Sequence, residues 1–61
     1  MTVEQAMLRV GVDLYFVIVD HGETIEEGTY EEVCETMDYP VNRIEILGVD
    51  TLEDMMCLIY V

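Results

Sequence analysis

A chain of 61 residues makes one small domain, and its 52% hydrophobic content favours a packed core over disorder. Fourteen Asp and Glu stand against Arg9 and Arg43, with no Lys, for a net charge of −12. That balance argues against direct binding to nucleic acid, whose phosphates need Lys and Arg, or to anionic membrane surfaces.

The longest apolar runs, 14–19 and 55–61, are too short to span a bilayer, and no basic leader precedes an apolar stretch. The expected location is therefore the cytoplasm, with Cys34 and Cys57 as reduced thiols; a disulfide between them is the alternative for an exported chain.

In chain order, Thr2 and Gln5 have capping-box spacing. Val3, Ala6, Met7 and Val10 form one helical stripe, and Gly11 suits the end of a helix. A short first helix is expected, with an extended arm as the alternative. The run 14–19 reads as a strand buried on both faces. His21-Gly22 supplies a tight turn into a second strand, "ETIEE", with Ile25 on one face and Thr24 and Glu26 on the other.

"GTYEEVCETMDYP" predicts a second helix. Thr29 and Glu32 would cap it, the Tyr39-Pro40 step would end it, and Tyr30, Val33, Cys34 and Met37 would share its buried face. "NRIEILG" alternates as a half-buried strand, Asp50 and Asp54 bound a turn, and "MMCLIYV" closes the chain as an apolar strand. The fold class is α+β: a small antiparallel sheet in (α)ββαββ order with one or two short helices packed on it. If the first helix is absent, one sheet face would be bare and dimerisation would cover it, so monomer and homodimer both stay open.

Eight acids lie within 20–38 and no Lys or Arg interrupts them: Asp20, Glu23, Glu26, Glu27, Glu31, Glu32, Glu35 and Asp38. On the expected helix, Glu31, Glu32, Glu35 and Asp38 fall opposite Tyr30, Val33 and Met37, with Glu31 and Glu35 about 6 Å apart along the axis. That rise is close to the phosphate spacing of a nucleic-acid strand. Like charges at this spacing destabilise a helix. The helix dipole accommodates Glu31 and Glu32 in the first turn but opposes Glu35 and Asp38 in the last. These eight acids, with Tyr39 as an interface anchor beside them, are the candidate partner-binding residues. A merely solvated face, or adaptation to high salt, is the competing explanation.

Catalytic chemistry finds little support. There is no Ser, and Cys34 and Cys57 fall on apolar faces as small core residues. His21 sits in a turn, and a ligand pocket of several hundred Å³ is hard to build in so short a chain. Tyr15, Tyr30 and Tyr60 are expected in or around the core. No metal-ligand spacing is present, so no catalytic residue, metal site or cofactor is expected, beyond adventitious Ca²⁺ or Mg²⁺ on Glu26, Glu27, Glu31 and Glu32.

A small, acidic chain of this build resembles the anti-defence proteins of phages, including anti-CRISPR and anti-restriction inhibitors that mimic nucleic-acid charge. The resemblance is one of size and charge, without a shared motif, and assigns no residue roles. It implies a basic nucleic-acid-binding partner, such as a CRISPR–Cas component or another host defence protein, met in the host cytoplasm. The alternative is a small regulatory adaptor or antitoxin-like protein. It would bind through a sheet edge or dimer interface, with the C-terminal strand as its distinguishing feature.

Overall fold

The computed structural model describes residues 1–48 and 55–61, so the turn expected between Asp50 and Asp54 lies outside the described residues. The first helix forms as its capping signals require. Helix α1 spans Val3–Val10, and the Thr2 hydroxyl accepts from the Gln5 amide while the Gln5 side chain accepts from the Thr2 amide at 2.9 Å. Gly11 ends it at φ 137°, a left-handed value that glycine adopts without strain. Val3, Ala6 and Met7 are fully buried, which confirms the apolar stripe. Replacing the cap, Thr2→Ala, is expected to cost about 1 kcal/mol. In a domain this small, a melting-temperature loss of about 4–8 °C in thermal circular dichroism would show it.

Four strands follow among the described residues: β1 at Tyr15–Asp20, β2 at Glu23–Gly28, β3 at Arg43–Leu47 and β4 at Met56–Tyr60. His21 and Gly22 both take positive φ, 51° and 81°, as a two-residue type I′ hairpin turn between β1 and β2 requires. The sheet order is β2-β1-β4-β3. Both outer pairings are antiparallel, whereas β1 and β4 run parallel at the centre, so the sheet is mixed. The two uninterrupted apolar runs thus become the two central strands, where both faces of a strand are shielded.

Residues paired across the ladders share a face. Phe16 and Ile18 of β1 lie beside Cys57 and Ile59 of β4, and all four are fully buried. They form the core together with Val3, Ala6 and Met7 of α1, Leu14, and Val33 from the connection between β2 and β3. The opposite face carries Tyr15, Val17 and Val19 beside Met56, Leu58 and Tyr60. No helix among the described residues packs on that second face, and none is long and apolar enough to cross a membrane.

A β-bulge interrupts the hairpin. Ile18 pairs with Glu26 but Val19 pairs with Thr24, leaving Ile25 as the extra residue. Thr24 and Glu26 therefore lie on opposite faces, not the common face that simple alternation predicts. Glu26 turns to the covered face, and that placement decides the fate of the next segment.

Candidate functional site

The second expected helix does not form. Residues 29–40 instead make an ordered, non-helical connection across the covered sheet face. Its local start signals are real. The Thr29 amide donates to Glu32 Oε1 at 2.9 Å, and the amides of Glu32 and Val33 donate to the Thr29 carbonyl at 2.9 and 3.0 Å. One turn then closes and stops.

The next three amides face a stronger acceptor than their own helical carbonyls. Cys34 N donates to Glu26 Oε2 at 2.9 Å, Glu35 N to Oε1 at 3.1 Å, and Thr36 N to Oε1 at 3.0 Å. The Thr36 hydroxyl, on a residue only 3% exposed, adds a bond of 2.8 Å to Oε1. Charge-assisted bonds of this kind are about twice as strong as neutral ones. They also avoid stacking Glu31 on Glu35 and Glu35 near Asp38 along one helix face. The far end is tied to α1, where Val3 N and Glu4 N donate to the carbonyls of Tyr39 and Met37 at 3.0 and 3.2 Å.

This arrangement redistributes the candidate residues. Glu26 is half-buried and structural. Desolvation pushes its pKa upward, but the hydrogen bonds from Cys34, Thr36 and Glu35 outweigh it and hold the carboxyl near 2. Glu32 is exposed, and its bond from the Thr29 amide lowers its pKa. Asp20 Oδ1 lies 2.6 Å from His21 Nδ1, within hydrogen-bond distance. Glu23, Glu27, Glu31, Glu35 and Asp38 are exposed. Glu31, Glu35 and Asp38 lie on the connection, Asp20 and Glu23 face each other at the hairpin end, and Glu27 shares the face of Val17 on the other side of the sheet. The eight acids therefore form no single helical face. Tyr39 is 42% exposed at the end of the acidic connection, where an anchor was expected.

Other expectations also change. Cys34 is exposed rather than core, because its amide, not its position on a helix, fixes the local backbone. Cys57 is buried as expected, and burial pushes its thiol pKa up. Tyr30 and Tyr60 are half-buried, but Tyr15 is 40% exposed on the sheet face opposite the core. Desolvation and the adjacent Glu27 carboxylate raise the Tyr15 pKa. Arg43 also lies on that face, with its guanidinium 4.2 Å from the Tyr60 ring centre.

Two clefts exceed the expectation for so short a chain. One of about 550 Å³ lies at the hairpin end between His21, Arg43 and Tyr60; another of about 520 Å³ lies between Asp13 and Tyr30. Both are open to solvent. Among the described residues no three His, Cys, Asp or Glu converge as a metal site.

A bare sheet face was expected only if the first helix were absent; that helix forms and the second does not, so no described helix lies on the face of Val17 and Leu58. Comparison with protein-family models, curated proteins and solved structures finds no match.

Proposed function

We propose that the chain is a non-catalytic inhibitor that occupies the basic nucleic-acid-binding surface of another protein, such as a CRISPR effector or restriction system of a host cell, in the cytoplasm. The observation that carries this reading is unpaired charge. Glu23, Glu27, Glu31, Glu35 and Asp38 are exposed in a chain of net charge −12, and none pairs with a basic side chain among the described residues. Without counter-charges on a chain so acidic, they add to its self-repulsion, and a partner rich in Lys and Arg relieves it. The ordered connection, pinned by Glu26 at one end and α1 at the other, presents Glu31, Glu35 and Asp38 with little further ordering cost on binding.

The test is capture of partners on the immobilised chain, followed by elution with salt or with competing duplex DNA or RNA. Affinity should fall at least about tenfold between roughly 50 and 200 mM salt. It should fall further in the triple variant Glu31→Gln, Glu35→Gln, Asp38→Asn, and nucleic acid should displace the partner. Capture indifferent to salt, to the triple variant and to nucleic acid would sink the proposal. One observation favours an adaptor as the second reading: the sheet face of Tyr15, Met56, Leu58 and Tyr60, which no described helix covers.

A further inference from the structure

We infer that β3 is a self-pairing edge: two copies of the chain join β3 to β3 antiparallel, Ile44 against Ile44, into one continuous eight-stranded sheet. This interface goes beyond the acidic-connection reading and does not depend on it.

The sheet has two edges, and only one is blunted. β2 carries Glu23, Glu26 and Glu27 and the bulge at Ile25, features that discourage a further strand. β3 pairs with β4 over Arg43–Leu47 without a register shift and holds no Pro or Lys. Two hydrogen bonds fix the direction of its backbone groups. The Asn42 amide donates to the Tyr60 carbonyl at 2.7 Å and the Val61 amide to the Val19 carbonyl at 2.9 Å, so Tyr60 faces β3 and Val61 faces β1. Facing alternates along a strand, so Tyr60, Leu58 and Met56 bond to Arg43, Glu45 and Leu47. The amides and carbonyls of Ile44 and Ile46 then point away from β4, where no strand among the described residues receives them. Ile46, on the covered face, is 48% exposed, so the layer over the sheet stops short of this edge.

Charge selects the occupant and the register. An antiparallel neighbour sets outward-facing residues opposite outward-facing residues, which leaves a second copy three registers. Ile44 opposite Ile46 sets Glu45 against Glu45, and Ile46 opposite Ile46 sets Glu45 against Leu47. Ile44 opposite Ile44 sets Arg43 against Glu45 twice, in the pairs without backbone bonds, where side chains lie closest. Opposite charges there stabilise a sheet and like charges destabilise it. The Val41 amide donates to the Met1 carbonyl at 2.8 Å, so the open edge begins at Asn42. The same register brings Leu47 of the second copy to Met1, and both are about half exposed. Each copy uses its one open edge, so the pairing closes at two. Five residues fall short of the about 20–30 a side of a standard interface, and a net charge of −12 on each copy opposes association, so the dimer is weak and reversible.

Sedimentation of the full chain from about 10 μM to 1 mM should show a concentration-dependent dimer. Over the same range, amide hydrogen exchange by NMR should show Ile44 and Ile46 gaining protection while β2 stays unchanged. Arg43→Glu and Glu45→Arg should each weaken the dimer at least about tenfold, since each sets like charges at both facing positions. Combining the two restores opposite charges and keeps the net charge at −12, so that dimer should return to within about threefold of the native one. Both positions are exposed, and the exchange measurement on the native chain needs no variant at all. A chain that stays monomeric at about 1 mM, protection that appears on β2 in place of Ile44 and Ile46, or a combined variant as weak as the single ones overturns the inference.

Discussion

Glu26→Gln is expected to destabilise the fold by about 2–3 kcal/mol, a large share of what a chain of this length can hold. Stability of roughly 0.05–0.15 kcal/mol per residue gives this domain about 3–9 kcal/mol in total. The carboxylate accepts from three consecutive amides and a buried hydroxyl. Glutamine keeps one acceptor oxygen and turns an NH₂ group toward N–H donors, which leaves amides of 34–36 unpaired. Depression of the carboxyl from 4.5 to about 2 corresponds to at most about 3 kcal/mol, and partial solvent access trims it. A melting-temperature fall of about 10–20 °C follows.

The sign of the pH dependence is fixed by the direction of that shift. A carboxyl whose folded pKa lies below its unfolded value adds stability that is complete above about 4.5 and is lost as pH falls through about 2. Acid also reduces the net charge and its self-repulsion, so the raw profile of the native chain mixes two opposing effects. The difference between native chain and Glu26→Gln isolates one of them. Urea denaturation of both proteins should show a gap of about 2–3 kcal/mol at pH 7 that closes as pH approaches 2. A gap that stays constant down to pH 2 would show that Glu26 acts through packing rather than charge.

Glu26 also explains how far the sequence could be read. Where structure is set by neighbours within four residues, the reading succeeds: the Thr2–Gln5 box, the Gly11 stop and the His21-Gly22 turn all form. Half of the Thr29–Glu32 box forms as well, with the Glu32 carboxylate accepting from the Thr29 amide, yet its helix fails. The competing acceptor sits eight residues upstream of Cys34, and it points inward only because the bulge at Ile25 shifts the register. No local pattern encodes that choice. The sequence did carry a warning, since Glu31, Glu35 and Asp38 without basic partners are poor helix neighbours. Read as a functional anomaly on a helix, that charge pattern is equally a reason for the helix not to form. The parallel pairing of β1 with β4 was hidden for a similar reason, because the periodicity of a strand is blind to the direction of its neighbour.

Deletion of residues 56–61 is expected to abolish cooperative folding, which changes what truncation can reveal about binding. The C-terminal strand is not an edge available to a partner: β4 lies between β1 and β3 and hydrogen-bonds to both. Its removal leaves β3 with no strand partner, exposes the parallel flank of β1, and takes Cys57 and Ile59 out of the core. A milder probe is Ile59→Ala, which should cost about 2–5 kcal/mol through lost burial and the cavity left behind. Leu47→Ser, at a position 48% exposed on the edge strand, should stay within about 0.5–1 kcal/mol of the native value. The expected order in thermal circular dichroism is therefore no transition for the deletion, a melting point at least about 10 °C lower for Ile59→Ala, and a near-native melt for Leu47→Ser. A cooperative melt in the deleted chain would contradict the central placement of β4. If the expected order holds, loss of partner binding on truncation reports unfolding, and Glu45 and Leu47 become the positions at which binding through the sheet can be separated from the stability of the sheet itself.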